Sequence, residues 1–138
     1  MTEHEEQFAL MLDVKVELVL PWPPSTNHTW GKARNKRTGK PQVYLTSDAR
    51  VFRKSVAKIV MGARFGWPIV GPVEVKITLC PPDNRRRDED NFAGKALFDA
   101  MTKAGVWLDD SQIRRKVVEW GDTVKYGAVI VEIIPMQA

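Results

Sequence analysis

Two pairs of aspartates, separated by about twenty residues, are the groups of this 138-residue chain best suited to metal chemistry. Asp88 and Asp90 lie in the stretch RRRDEDN, and Asp109 and Asp110 lie in WLDDSQ. In an extended chain alternate side chains share a face, so the first two carboxylates can converge while Glu89 points away. Two or three carboxylates at one point supply the oxygen ligands that Mg²⁺ or Mn²⁺ prefers. Such an ion can activate a water for attack on a phosphodiester.

Whether the two pairs meet depends on the segment between them. Its apolar residues recur at helical spacing and predict a helix from about Asn91 to Ala104, with Gly105 as its stop. A helix of about 14 residues is roughly 21 Å long, so the chain after it must run back before the second pair reaches the first. A second interpretation stays open, in which the first acids are only a helix cap and the second pair is only a turn.

Positive charge surrounds the first acids. Arg85, Arg86 and Arg87 directly precede Asp88, and guanidinium groups bind phosphate in a bidentate manner. The net charge of +4 and the isoelectric point near 9.3 favour a polyanionic partner without proving one. A second basic segment, GKARNKRTGKPQ, is either a soluble hairpin tip or a mobile arm that lies on nucleic-acid backbone. Its basic residues include Lys32, Arg34, Lys36 and Arg37.

The pattern of apolar residues predicts an α+β fold. Period-two alternation in DVKVELVL and PVEVKITLC predicts two strands, and IRRKVVEWGD and YGAVIVEII predict two closing strands. The stretch TSDARVFRKSVAKIVMGARFG predicts a helix with an apolar stripe. The order β–loop–α–β–α–β–β corresponds to a small mixed sheet with two helices. We expect residues 1–12 to form a loosely ordered extension and residues 13–138 to form a single domain.

Several classes of protein are disfavoured by composition. The single cysteine, Cys80, ends a predicted strand, so we expect a buried thiol and no disulfide or cysteine-based zinc site. No apolar run approaches the ~20 residues that cross a bilayer, and the first twelve residues are acidic where a secretory signal would be basic. We therefore expect a cytoplasmic protein with no membrane partner.

Three stretches, LPWPPSTNHTW, RRRDEDN and LFDAMTKAGVWLDDSQI, resemble the RusA family of Holliday junction resolvases. The resemblance covers the chain from roughly Val14 to its C-terminus. It implies a RusA-like homodimer that acts as a Mg²⁺-dependent endonuclease, in which Mn²⁺ can substitute. It also implies that branched DNA, the four-way junction, is cut by symmetric incision in recombination and repair. Members of the family occur in bacteria, often on phages and prophages.

The resemblance also implies the roles of individual residues. The family's catalytic, metal-binding carboxylates map onto Asp88, Asp90 and Asp110, with Asp109 and Asn91 as possible helpers. Its catalytic lysine maps onto Lys95. The family commonly spaces this motif N-x-x-K, whereas NFAGK carries one more residue, and one residue rotates a helical side chain by about 100°. Either the chain bulges around Gly94, or Lys95 does not reach the site.

Three other functions remain open at the level of sequence. One is a catalytically silent protein that binds junction or duplex DNA and keeps its acids for folding. Another is a metal-dependent nuclease for flaps or RNA, which the same acids would serve. The third is a metal-dependent phosphatase that acts on small phosphorylated molecules.

Overall fold

A computed structural model describes residue 3, residues 15–63 and residues 65–136. These residues form a four-stranded sheet and a separate two-stranded sheet, together with two helices. The helices are α1 (Ser47–Ala63) and α2 (Lys95–Lys103). The strands are β1 (Val16–Pro21), β2 (Trp30–Arg34), β3 (Pro41–Leu45), β4 (Val73–Cys80), β5 (Ile113–Trp120) and β6 (Ala128–Pro135). The predicted α+β class, with a mixed sheet and two helices, is confirmed.

The order of the large sheet is β1–β6–β4–β5. The central strand β4 pairs antiparallel with β6 and parallel with the edge strand β5. Neighbouring parallel strands cannot be joined by a tight turn, so the chain must cross over between them. Residues 81–112, which include α2 and every predicted catalytic acid, supply this crossover. The fold thus places both acidic stretches on one connection.

Alternation along the strands fixes which face of the sheet is buried. In β4 Val73, Val75, Ile77 and Leu79 are fully buried, and the register places Ile77 opposite Val131 of β6. The apolar stripe of α1 is buried in the same core and packs against β1 and α2. Both helices therefore share one core with the buried face of the sheet. Cys80, at the end of β4, is 6% exposed, which confirms the predicted buried thiol.

The predicted element order placed a loop after β1, but the structure has two strands in this basic segment. Residues 30–45 form an antiparallel hairpin of β2 and β3, in which Trp30 pairs with Leu45 and Arg34 with Pro41. The turn is closed because the Asn35 side chain accepts a hydrogen bond from the backbone N–H of Arg37 at 2.8 Å. The segment is therefore a hairpin, and its contact with nucleic-acid backbone stays a prediction.

The second helix begins later than predicted. It starts at Lys95 instead of Asn91, because residues 89–91 form a separate 3₁₀ turn and Gly94 occupies the N-cap position. The predicted N-terminal extension lies outside the described residues, apart from residue 3, as does Val14 of the first predicted strand. None of the helices in the described part of the chain is long and apolar enough to cross a membrane.

Candidate active site

The first acidic turn is built by Asp88. Its backbone is extended, and its carboxylate accepts a hydrogen bond from the backbone N–H of Asp90 at 3.2 Å. This bond starts the 3₁₀ turn Glu89–Asn91, in which Asp88 is the N-cap. The prediction that Asp88 to Asp90 is extended chain with alternating side chains was therefore wrong. Asp88 and Asp90 are both solvent-exposed, on a turn instead of a strand.

Two contacts hold this turn in place. The hydroxyl group of Thr26, which follows β1, donates a hydrogen bond to the carbonyl oxygen of Asn91 at 3.2 Å. Gly94 lies so close to the carbonyl oxygen of Asp90 that a β-carbon would collide with it, and the Thr26 hydroxyl group lies beside the same position. The segment between this turn and the helix is irregular, with Gly94 at the N-cap and Lys95 as the first helical residue. That a bulge around Gly94 brings Lys95 to the acids of this turn stays a prediction.

The second acidic turn lies at the start of β5. Asp109 is the N-cap of the 3₁₀ turn Asp110–Gln112, and its carboxylate accepts a hydrogen bond from the hydroxyl group of Ser111 at 2.8 Å. The Gln112 side-chain oxygen accepts from the backbone N–H groups of Leu108 at 2.9 Å and Asp109 at 3.1 Å. Asp109 is therefore a turn residue that fixes the backbone next to Asp110.

Gln112 also anchors this turn to the segment that enters β4. Its amide nitrogen donates hydrogen bonds to the carbonyl oxygens of Ile69 at 2.9 Å and Gly71 at 2.8 Å. A single side chain thus satisfies four backbone groups, which would cost free energy if they were left without partners. The position of Asp110 is set by this anchor.

The second turn returns to the first half of α2. The pKa of Asp110 is raised, first by partial loss of hydration of its carboxyl group, then by the hydrogen bond and charge of Asp109 and by the negative charge of Asp99 on α2. The positive charge of Lys95 opposes this rise. The pKa of Asp109 is lowered, first by its hydrogen bond from Ser111 and then by one from Asp110. Asp110 therefore lies within electrostatic reach of both Lys95 and Asp99. The chain therefore runs back beside α2 after the helix ends, and a meeting of Asp110 with Asp88 and Asp90 stays a prediction.

The structure groups the predicted catalytic residues in two sets. Asp88 and Asp90 share the turn before α2, and Asp110 lies near Lys95 and Asp99. Among the residues that the structure describes, no three histidine, cysteine or acidic side chains are arranged so that they could hold a metal ion. Metal binding by Asp88, Asp90 and Asp110 together stays a prediction.

The three arginines differ in their surroundings. Arg87 lies 2.8 Å from the carboxylate of Asp83, and only 8% of its side chain is exposed. Its guanidinium group also donates to the carbonyl oxygen of Asp83 at 3.0 Å and stands 5.7 Å from the centre of the Trp22 ring. Arg85 pairs with the same carboxylate at 3.2 Å but is 79% exposed, and Arg86 is exposed. Arg85 and Arg86 are therefore open to a ligand, whereas Arg87 is held by the fold.

An aromatic contact joins this region to the loop after β1. The rings of Trp22 and Phe92 lie 4.8 Å apart, centre to centre, and Phe92 directly follows the first acidic turn. Trp22 therefore contacts Arg87, which precedes the first acidic turn in the sequence, and Phe92, which follows it.

The hairpin carries the four basic residues predicted to bind DNA, Lys32, Arg34, Lys36 and Arg37. All four are exposed, and their role stays a prediction.

Comparison with known proteins matches most of this structure to one family. The family model described as endodeoxyribonuclease RusA matches residues 21–134. This chain belongs to the RusA family. The RusA match begins at the end of β1 and includes the hairpin, both acidic turns and the helix between them.

Individual RusA proteins are similar over much of their length. The chain is 41% identical over 96 residues to the crossover junction endodeoxyribonuclease RusA of Enterobacteria phage 82 and to that of Escherichia coli strain K12. It is 40% identical over 96 residues to the protein of the same name from Shigella sonnei. In each case the match covers 70% of this chain and 74% of the relative.

Three residues of the candidate site were missed by sequence analysis. Asp83 orients Arg87 and Arg85, Gln112 anchors the second turn, and Asp99 adds a carboxylate beside Asp110. Asp83 precedes Arg87 by four residues, and an acid so close to an arginine run signals an ion pair. Asp99 follows Lys95 by four residues, which places both on one face of α2. The pattern D-D-S-Q carried the signal for Gln112, because glutamine at the third position completes a capping box.

Proposed function

We propose that this chain is a structure-selective DNA endonuclease that resolves four-way junctions by symmetric hydrolysis of phosphodiester bonds. The observation that carries the proposal is that Asp110 lies within electrostatic reach of Lys95. Lys95 begins α2, and the turn of Asp88 and Asp90 directly precedes this helix. It occurs in a chain that is 41% identical to proteins named crossover junction endodeoxyribonucleases. We propose that it acts in the cytoplasm, on DNA that is undergoing recombination or repair.

Asp88, Asp90 and Asp110 are the residues that would hold Mg²⁺, with Mn²⁺ as a substitute. All three are exposed carboxylates on short turns, and hard oxygen donors with access to water fit these cations. Asp99 and Asp109 add negative charge next to Asp110, with Lys95 as the opposing cation. When bound, the metal supplies an acidified water and stabilises charge on the phosphate oxygens.

The other polar groups would bind and orient the DNA. Lys95, which lies within reach of Asp110, would hold the phosphate to be cut. Arg85 and Arg86 would contact neighbouring phosphates, which positions the strand but reads no sequence. The exposed Lys32, Arg34, Lys36 and Arg37 of the hairpin would extend the contact along a DNA arm. Arg87 would contribute indirectly, by holding the loop through Asp83.

A homodimer follows from the proposed reaction. A four-way junction has approximate two-fold symmetry, and two symmetric cuts are most simply made by two identical sites related by the same axis. Each protomer would then supply one set of Asp88, Asp90, Asp110 and Lys95.

A competition experiment separates this proposal from the alternatives. Cleavage of a labelled four-way junction in Mg²⁺ is measured with an excess of unlabelled junction, flap, duplex or RNA. The proposal expects the junction to be cut and to compete best. Preferred cutting of the flap or the RNA would support a different nuclease, and tight binding without cutting in any divalent metal would support a silent DNA-binding protein.

A further inference from the structure

A groove of about 630 Å³ lies where the parallel strands β4 and β5 end. The carboxyl ends of neighbouring parallel strands meet at one edge of a sheet, and crevices at such edges are common ligand sites. One wall is the loop after β4, with Asp83, Arg85 and Arg86, and the other is the end of β5 with Trp120 and Asp122. Its volume is in the range of ordinary ligand sites, roughly 300–1,000 Å³.

Backbone hydrogen bonds join the two walls of the groove. The backbone N–H of Gly121 donates to the carbonyl oxygen of Leu79 at 2.8 Å, and that of Val124 donates to Pro81 at 3.0 Å. A β-carbon on Gly121 would lie only 2.9 Å from the sulfur of Cys80, so the loops are in close contact. The groove is therefore a fixed feature of the sheet edge.

Trp120 gives the groove a flat apolar surface. It is 44% exposed, and within the described part of the chain its ring has no aromatic neighbour and its indole N–H has no hydrogen-bond partner. Tryptophan at such a site presents a broad face on which a planar group can stack. Nucleobases stack on aromatic side chains whatever their sequence, because each base has a π-face.

The opposite wall supplies positive charge. Asp83 already pairs with Arg87 and Arg85, so its negative charge is largely offset. Arg86 also lines the groove and forms no ion pair among the residues that the structure describes. An indole face and an unpaired guanidinium group in one groove match one nucleotide, with its base on the ring and its phosphate at the arginine.

We propose that this groove binds an unpaired nucleotide of the DNA substrate, with its base stacked on Trp120 and its phosphate at Arg86. The inference rests on the proposed function. Arg87, which lines the groove, directly precedes Asp88, so the groove adjoins the first acidic turn. A base next to a branch point has lost part of its stacking, which lowers the cost of taking it out of the duplex. Trp120 thereby helps select branched over continuous DNA.

The test is a cycle of protein and DNA changes. Affinity is measured in a chelator, which prevents cutting, for four-way junctions that carry one abasic nucleotide at each position around the branch point in turn. Trp120→Ala is expected to weaken binding of the intact junction by about 5- to 150-fold. At one position in each cut strand, the abasic change should weaken wild-type binding to the same degree, and there Trp120→Ala should have no further effect.

Trp30→Ala is the matched control, because Trp30 is also 44% exposed but lies on the hairpin. Its effect on affinity, whatever its size, is expected to be the same for every abasic position. Trp120→Phe, which keeps a ring, should retain most of the affinity, and thermal unfolding of each variant shows whether it folds. An effect of Trp120→Ala that is uniform over all positions, or absent everywhere, overturns the proposal.

A wrong proposed function and a wrong groove proposal give different experimental results. If the wild type neither binds nor cuts a junction, the function falls, and the groove is then judged with a short single-stranded DNA oligonucleotide. Quenching of tryptophan fluorescence that Trp120→Phe abolishes supports the groove. Quenching that persists in this variant, or no quenching, contradicts it.

Discussion

The guanidinium group of Arg87 lies 2.8 Å from the carboxylate of Asp83, four residues earlier, and only 8% of the arginine side chain is exposed. Because of this ion pair, the three consecutive arginines differ in their exposure and in the roles that we assign to them. Arg87 fastens the loop between β4 and the first acidic turn, whereas Arg85 and Arg86 remain available to phosphates.

Arg87→Ala should mainly lower the stability of the protein, whereas Arg86→Ala should mainly weaken its binding to the junction. Arg87→Ala removes a charged hydrogen bond at a buried guanidinium group and should lower the free energy of unfolding by about 2 kcal/mol. Arg86→Ala should change it by less than about 0.5 kcal/mol but weaken junction binding and reduce its salt slope by about 1. Thermal unfolding and a salt titration of affinity measure both effects. Equal stability of the two variants would contradict the assignment.

The contribution of Asp83 to the stability of the fold should decrease at acidic pH. The hydrogen bond from Arg87, first among several contacts, lowers the pKa of Asp83 from 3.8 to about 2. Because the pKa is depressed in the folded state, the stabilisation is present above about pH 4 and is lost as the pH falls towards 2. The stability difference between wild type and Asp83→Asn should therefore shrink over this interval in thermal unfolding. In the Arg87→Ala background, which lacks this hydrogen bond, the pH dependence of the same difference should be smaller.

The charge crowding at Asp110 should cost stability when no metal is present. Partial loss of hydration and the neighbours Asp109 and Asp99 raise the pKa of Asp110, so its ionised form is disfavoured in the folded state. The cost in stability therefore grows as the pH rises from the ordinary pKa of aspartate through this raised pKa. In a chelator at pH 7, Asp110→Asn should raise the melting temperature by about 1–3 °C. Adding Mg²⁺ should stabilise the wild type more than the variant. A lower melting temperature for the variant in the chelator would contradict the crowding.

Gly94→Ala should disturb the first acidic turn. The added β-carbon would collide with the carbonyl oxygen of Asp90, so the turn must shift. Displacement of a catalytic group by about 1 Å can cost up to 100-fold in rate, and we expect junction cleavage to fall by roughly 10- to 100-fold. Gly62→Ala is the control, since a β-carbon there meets no atom within 4 Å on the exposed side of α1. It should leave cleavage unchanged and stabilise the helix by up to about 1 kcal/mol.

Local pattern predicted the framework of this fold but not the arrangement of its site. Alternation of apolar residues identified β1 and β4 because one face of each is buried. The start of α2 was misplaced by four residues because Phe92 fits the helical period, while Gly94 and Thr26 stabilise a 3₁₀ turn instead. The neighbourhood of Asp99 and Asp110 depends on how the chain returns after α2, and no local pattern encodes that return.

The most direct test of the central claim is a map of the cuts in a four-way junction. Each of the four strands is labelled in turn, and the products formed by wild type, Asp90→Asn and Asp110→Asn are compared with Mg²⁺ and with a chelator. We predict nicks at two symmetry-related positions for the wild type with Mg²⁺. The chelator should abolish them, and each variant should bind the junction without cutting it. Intact strands with every divalent metal tried, or nicks that persist in both variants, would contradict a metal-dependent junction endonuclease built on these two turns.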